Sequence, residues 1–296
     1  MMERLDQNTK TEIFSDVRNE EAGGTPVVPV QHRPEDSFSF RCHRGVSCWN
    51  MCCHGADVTL TPECILRLSR HLNVRPREFL AQYTVPAMWE RAEMPVAKLK
   101  MGGEDGKGPC PFVRAEGCSV YENRPATCRY YPLGLATVKL KDAENKDDFY
   151  FLVREAHCRG HEESFAQTVA AFRHEQGVEG YDSVNRGWMD ILMKAVSWKV
   201  LGGPYGKEMT PQTKKMFFMV STDVDALRQF IFGTKFLDTY EVAPEAVKAL
   251  ETDDEALLHL GFDWMKNVLF NEKTIVMKRH ILQAAVAQIR EGTGAS

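Results

Sequence analysis

Eight of the nine cysteines fall into two groups within the segment 42–158. Thiolates are soft ligands that select zinc, copper(I) or iron–sulfur clusters. Zinc takes four thiolate or imidazole ligands, and the common iron–sulfur clusters take about four cysteines. We therefore predict that these thiols are metal ligands, either in two four-ligand sites or in one site accompanied by structural or reactive thiols. The candidates are Cys42, Cys48, Cys52, Cys53, Cys110, Cys118, Cys128 and Cys158.

The first group has the spacing Cys-x5-Cys-x3-Cys-Cys. Its pair Cys48-x3-Cys52 has a workable chelate spacing. The adjacent residues Cys52 and Cys53 point in different directions, so either one ligates while the other packs, or they serve two sites. Cys64 lies alone in a predicted helix, and we interpret it as a packing or surface residue. The strongest ligand candidates are Cys48, Cys52, Cys110, Cys118 and Cys128.

Four histidines stand beside cysteines, and an imidazole can replace a thiolate as a metal ligand. A ligating histidine usually has an outer partner that orients its ring, and no such partner is visible from the sequence. We interpret each of the four as an exposed or outer residue rather than a direct ligand. They are His43, His54, His157 and His161.

The second cysteine group lies in a distinctive run of motifs: Cys-Pro-Phe at 110–112, Gly-Cys-Ser-Val-Tyr at 117–121, and Arg-Pro-Ala-Thr-Cys-Arg at 124–129, before Tyr131-Pro132. These motifs resemble the YkgJ-type cysteine-cluster family, a zinc- or iron-chelating domain, over about residues 38–160. The first cysteine group differs from the family spacing, with gaps of five and three residues rather than two and two. Arg124 and Arg129 can either offset the charge of a thiolate cluster or form ordinary surface salt bridges.

The resemblance implies metal binding, with a [4Fe–4S] cluster or zinc as the cofactor. The same superfamily looks like it includes the flagellin lysine N-methylase FliB. The resemblance therefore makes an iron–sulfur-dependent protein-modifying enzyme one alternative. A zinc-stabilised structural or metal-handling module is the other. The chain has no Gly-x-Gly-x-x-Gly loop and no Cys-x3-Cys-x2-Cys motif of radical S-adenosylmethionine enzymes. The sequence does not decide whether the protein is an enzyme.

Composition limits the remaining function classes. Hydrophobic residues make up 43% and charged residues 26% of the 296 residues, with a net charge of −4 and no long basic block, which argues against a nucleic-acid surface. No apolar run approaches the about 20 residues needed to span a membrane. The N-terminal residues lack the pattern of a secretory signal, so we expect a cytoplasmic protein. Thiols stay reduced there, so metal binding is favoured over a disulfide framework, which is typical of small secreted domains.

The pattern along the chain predicts an α+β protein. We expect a flexible leader at 1–36, a small cysteine-rich metal-binding domain with a short hairpin at 37–160, and a mostly helical region at 161–296 that can carry a protein partner or substrate surface. Within the cysteine domain, a short strand is predicted at Phe38–Cys42. Strands at Leu135–Leu140 and Asp148–Arg154 form the hairpin, which would bring Cys128 near Cys158.

Helix signals are clearest where a capping residue precedes an apolar repeat. Thr61 followed by Pro62 predicts one helix start, and Pro76 another before Arg77–Tyr83. Residues 101–109 are predicted to be a glycine-rich loop. Helical spacing recurs from about His161, through Phe165 to Gln176. Further helices are predicted at Val184–Val200, Asp223–Phe232, Asp253–Phe270 and Thr274–Arg290.

Overall fold

The computed structural model describes residues 31–138, 147–203 and 208–284. Across these residues the protein belongs to the α+β class, with short antiparallel strand pairs and a helical C-terminal region. The fold class predicted from the sequence is confirmed. The predicted leader lies outside the described residues as far as residue 30.

The described helices and strands are short in the first half of the chain and longer in the second. The helices are α1 Pro62–Leu72, α2 Pro76–Tyr83, α3 Ala126–Tyr130, α4 Val169–Gln176, α5 Val178–Leu201, α6 Pro211–Thr222, α7 Val224–Gly233, α8 Phe236–Thr239, α9 Pro244–Leu250 and α10 Asp254–Phe270. The strands are β1 Ser37–Ser39, β2 Thr59–Leu60, β3 Thr84–Trp89, β4 Met94–Leu99, β5 Val113–Arg114, β6 Gly117–Cys118, β7 Leu133–Val138, β8 Asp147–Leu152, β9 Ala166–Thr168, β10 Tyr240–Glu241 and β11 Val276–Met277.

The described residues form two compact units. The cysteine unit comprises the described parts of 31–58 and 100–180, and the helical unit those of 59–99 and 181–284. These units differ from the continuous domains predicted at 37–160 and 161–296. Residues 59–99 join the helical unit because Met94 and Val96 of β4 pack into its core. Residues 161–180 join the cysteine unit because Val169 and Phe172 of α4 pack against Phe38.

Two antiparallel strand pairs frame the small core of the cysteine unit. Strand β1 pairs with β9, which places Phe38 opposite Gln167, and β7 pairs with β8, which places Leu133 opposite Leu152. The predicted β7–β8 hairpin is therefore confirmed, and most of its predicted turn lies outside the described residues. The apolar side of both pairs forms a small core with α4, made of Phe38, Phe40, Leu133, Tyr150, Val169 and Phe172.

The helical unit has a larger core. A three-stranded sheet in the order β2-β4-β3 packs with helices whose fully buried residues include Ile191, Leu227 and Leu257. Burial of each such side chain contributes about 1.5–3 kcal/mol. Because this apolar surface is continuous through the described part of the unit, the core holds these elements together without any contribution from the grouped cysteines.

Side-chain caps begin several helices where the sequence predicted them. Thr61 Oγ1 accepts a hydrogen bond from Cys64 N at 3.2 Å, and Pro62 opens α1. Asp223 Oδ1 accepts from Ala226 N at 3.0 Å to cap α7. Asp253 caps α10 in the same way. These capping side chains accept hydrogen bonds from amide groups that the first turn of a helix leaves without backbone partners.

Two predictions about local structure are corrected, and one hairpin was missed. The last helix does not begin at Thr274, because Val276–Met277 form β11 and pair with β10; helical residues start at 279, and the predicted end lies outside the described residues. Phe165 precedes β9 rather than lying in a helix, since Ala166–Thr168 pair with β1. The β3–β4 hairpin was not predicted at all.

None of the described helices combines the length and the apolar character that crossing a membrane requires.

Candidate metal centre

All eight grouped cysteines lie in the cysteine unit, and Cys64 lies in the helical unit. Cys64 is fully buried in α1, and Thr61 Oγ1 contacts its Sγ at 3.0 Å. Its position fits the packing role predicted for it. Three grouped cysteines are exposed (Cys42, Cys52 and Cys128), and five are half-buried (Cys48, Cys53, Cys110, Cys118 and Cys158).

Tight turns wind the first cysteine group into a compact loop. Cys48 O accepts a hydrogen bond from Met51 N at 3.0 Å, and Asn50 O accepts from Cys53 N at 3.0 Å. Asn50 has a φ of 66°, a left-handed conformation that asparagine tolerates better than most residues. Residues Met51–Cys53 then form one 3-10 turn. This winding keeps Cys48, Cys52 and Cys53 within one loop.

A backbone pairing joins the first cysteine group to the second. Cys110 N donates to Cys53 O at 2.7 Å, and Gly55 N donates to Gly108 O at 3.0 Å. A Cβ on Gly108 would lie 2.5 Å from the carbonyl carbon of Gly102, so only glycine permits this close approach. The sequence predicted the glycine-rich loop here but not the segment with which it pairs.

The β5–β6 hairpin brings Cys118 back to Cys110. Val113 lies opposite Cys118, and Val113 N donates to Cys110 O at 3.1 Å. Gly117 has a φ of 125°, and a Cβ there would lie 2.9 Å from the Trp49 ring. Glycine at 117 therefore allows both the hairpin turn and the packing of Trp49 against it.

The end of the family-like segment lies beside the start of the first cysteine group. Arg41 N donates to Gly160 O at 3.0 Å, and Arg159 N donates to Cys48 Sγ at 3.2 Å. These bonds bring Cys42, Cys48 and Cys158 to one junction. The proximity of Cys128 and Cys158, predicted from the β7–β8 hairpin, stays a prediction.

The thiols influence one another's protonation. A hydrogen bond between the two side chains lowers the pKa of Cys52 to about 7 and, with burial, raises that of Cys53. Desolvation raises the pKa of Cys42 to about 11, and the nearby charges of Cys52, Cys48 and Cys158 add to the rise. Closely spaced thiolates repel one another, and a bound cation relieves that repulsion because metal ligation requires the deprotonated form.

Two buried arginines flank the thiols. Arg124 and Arg129 are each 8% exposed, so neither is an ordinary surface residue. Arg124 donates to Tyr121 O at 2.6 Å, and Arg129 donates to Gln176 O at 2.6 Å. Burial lowers the pKa of the Arg124 guanidinium, while the charges of Tyr121, Cys128 and Cys118 oppose that effect. Arg124 is therefore placed to offset thiolate charge, the first of the two roles considered from the sequence.

Tyr131 is a neighbour of the thiols that the sequence analysis quoted only as part of a motif. Its hydroxyl is buried without a nitrogen or oxygen partner among the described residues, and the thiol of Cys158 is its electrostatic neighbour. Burial and the interaction with Cys158 raise the pKa of Tyr131 above its usual range. The hydroxyl keeps its proton at neutral pH and can donate a hydrogen bond to a Cys158 thiolate.

The four histidines each have a polar neighbour. His43 Nε2 lies 3.2 Å from Glu163 Oε2, and His54 Nδ1 donates to Asn50 O at 3.1 Å. His157 Nε2 lies 3.5 Å from Glu155 Oε2. His161 Nε2 donates to Val153 O at 3.1 Å, and burial lowers the pKa of its ring. The interpretation of all four as outer residues stays a prediction.

In this structure the thiols are grouped but do not converge as in a metal-bound site. No three Cys, His, Asp or Glu side chains among the described residues close on one point in metal-binding geometry. The donor set nevertheless fits a thiolate-held metal, since eight soft ligands and a buried guanidinium occupy one unit.

A comparison with protein-family models agrees with the cysteine motifs described above. Residues 41–163 match the CxxCxxCC family model. This family is described as a "putative zinc- or iron-chelating domain". The match spans all eight grouped cysteines and confirms the resemblance to a cysteine-cluster family. No curated protein and no solved structure matches the chain significantly.

Proposed function

We propose that the cysteine unit holds a metal centre through its grouped thiolates, as a [4Fe–4S] cluster or as zinc. The observation that carries this proposal is that all eight grouped thiols lie in one unit, where backbone pairings between distant segments join the first cysteine group to residues 108–110 and 158–160. The family match over residues 41–163 supports it independently. Cys48, Cys52, Cys110, Cys118 and Cys128 are the first ligands to expect, followed by Cys42, Cys53 and Cys158.

The surrounding residues prepare the thiols for a cation. Arg124 reduces the electrostatic cost of gathering several thiolates, and Tyr131 supplies an O–H donor toward Cys158. When bound, zinc would fix these loops, whereas an iron–sulfur cluster would also supply an electron-transfer centre.

The deciding experiment is the metal and acid-labile sulfide content of protein purified without oxygen, recorded with its visible spectrum. Iron with equimolar sulfide and a brown colour support the cluster. Zinc in a colourless protein supports a structural or metal-handling module, in which removal of zinc unfolds the cysteine unit without loss of any catalytic function. Protein that holds neither metal, even after anaerobic reconstitution, refutes the proposal.

An iron–sulfur-dependent protein-modifying enzyme is the second candidate, supported by the resemblance to the lysine N-methylase. The helical unit has an open groove of about 430 Å³, and its lining combines apolar residues such as Leu66 and Val224 with charged ones such as Arg75. The proposal does not depend on this groove. Calorimetric titration of the metal-loaded protein with S-adenosylmethionine tests this candidate. Heat that saturates at one equivalent supports it, and a flat titration refutes it.

A further inference from the structure

Four of the thiols group around the junction of residues 41–42 with residues 158–160. Two backbone hydrogen bonds define this junction: Arg41 N to Gly160 O at 3.0 Å, and Arg159 N to Cys48 Sγ at 3.2 Å. Cys42 has Cys52, Cys48 and Cys158 as its electrostatic neighbours. The charge of Glu155, three residues before Cys158, also acts on the Cys52 thiol. Cys42, Cys48, Cys52 and Cys158 are called the first set below.

The other four thiols group around residues 108–118. Cys110 N donates to Cys53 O at 2.7 Å, and the β5–β6 hairpin brings Cys118 back toward Cys110. Cys53 has both Cys110 and Cys128 as electrostatic neighbours, and Cys110 has Cys118. Cys53, Cys110, Cys118 and Cys128 are called the second set below.

The two sets meet at one peptide bond, between Cys52 and Cys53. In a 3-10 turn of three residues per turn, successive side chains leave the backbone about 120° apart. Their thiols nevertheless share a hydrogen bond, so the sets adjoin. The charge of Cys52 also raises the pKa of Cys118, but more weakly than the desolvation of that thiol does.

We propose that the cysteine unit holds two four-thiolate centres, one formed by the first set and one by the second. This inference rests on the proposed metal-binding function and adds the number and composition of the centres. Each set has the four thiolates that tetrahedral zinc or a [4Fe–4S] cluster takes. Cys52 and Cys53 are adjacent because each belongs to a different centre.

The experiment counts metal in full-length protein loaded with Zn²⁺ alone without oxygen, using mass spectrometric metal analysis. Wild type is expected to hold two zinc ions per chain. Cys158→Ser removes a thiol of the first set, and Cys118→Ser removes one of the second. Each single variant is expected to hold one zinc ion and the double variant none, while the control Cys64→Ser holds two. Circular dichroism verifies that each variant is folded.

Each outcome has a distinct meaning. One zinc ion per wild-type chain overturns the two-centre proposal and leaves metal binding intact. Loss of both ions from a folded single variant also overturns it, because the thiols would then form one shared centre. If a variant does not fold, the wild-type count decides alone. A wild-type chain that holds no zinc here, and no iron–sulfur cluster after anaerobic reconstitution with iron and sulfide, refutes the proposed function itself.

Discussion

The carboxylate of Asp254, at the start of α10, pairs with two arginines from different helices. Arg70 Nη2 of α1 donates to Asp254 Oδ2 at 2.7 Å, and Arg228 of α7 donates to Asp254 Oδ1. Asp254 is 18% exposed, so this pairing is partly shielded from water. It joins three helices of the helical unit through one side chain, which makes Asp254→Asn an informative perturbation.

The expected cost of Asp254→Asn follows from these contacts. A hydrogen bond to a charged group contributes about 1.5–3 kcal/mol, but an ion pair with an exposed partner contributes about 0.2–1 kcal/mol. Arg70 is 51% exposed and Arg228 is 24% exposed, so the first pair belongs to the weaker class and the second lies between the classes. We expect Asp254→Asn to lower the free energy of unfolding of the helical unit by about 2 kcal/mol at pH 7.

The pH dependence of this cost has a defined sign. Burial alone would raise the pKa of Asp254, but the hydrogen bonds and charges of Arg228 and Arg70 outweigh burial and lower it. A carboxylate whose pKa is lower in the folded state stabilises the protein above its unfolded pKa, about 3.9. That stability is lost as the pH falls through the lower, folded value. The difference between wild type and Asp254→Asn is therefore constant from pH 7 to 5 and shrinks below about pH 4.

Urea unfolding followed by tryptophan fluorescence measures this difference, because four of the five tryptophans lie in the helical unit. Asp225→Asn is the matched control: Asp225 pairs with the same Arg228, but at 3.8 Å and with 52% exposure. We expect the control to cost less than about 0.5 kcal/mol at any pH. An equal cost for both variants, or an Asp254→Asn cost that persists unchanged at pH 3, would refute the reasoning.

Further predictions follow from single contacts. Gly187→Ala places a Cβ 2.9 Å from Phe262 Cδ2, and we expect a loss of about 1–3 kcal/mol in the same unfolding assay; an unchanged midpoint contradicts it. Thr61→Ala removes the N-cap of α1, and we expect it to lower the free energy of unfolding by about 1 kcal/mol, whereas the control Thr61→Ser keeps the capping hydroxyl. Tyr131→Phe removes the donor to Cys158, so metal affinity measured by chelator competition falls about tenfold while the metal count is unchanged; equal affinity refutes the assigned role.

The sequence predicted the elements whose signals are local. Thr61 and Pro62 define the start of α1, and Asp223 and Asp253 cap α7 and α10, because a cap needs only the residues of its own first turn. The β7–β8 hairpin was likewise visible as two apolar runs separated by a charged segment. Each of these predictions depends on fewer than about 20 consecutive residues, which is the range over which local patterns act.

Elements that depend on distant partners were missed. Val276–Met277 were expected to be helical, but they pair with Tyr240–Glu241, and nothing near residue 276 shows this. The β3–β4 hairpin is local and was missed for a different reason: Pro86 disfavours a strand, and the turn uses Glu93 at a φ of 50° rather than glycine or asparagine. Strand β3 lies at the edge of its sheet, which is where a proline is tolerated.

The candidate site shows the same division between local and distant information. Residue type and grouping marked the eight thiols as candidate soft ligands, and the local motifs from Cys110 to Pro132 indicated the resemblance that the family model over residues 41–163 bears out. The partition of the thiols depends instead on two pairings between distant segments, of Cys53 with Cys110 and of Arg41 with Gly160. Because each pairing joins residues that spacing alone leaves unrelated, the sequence could give the candidate ligands but not the set to which we assign each of them. The adjacent residues Cys52 and Cys53 were a local indication, because the sequence left open whether one of them packs or each serves a different site.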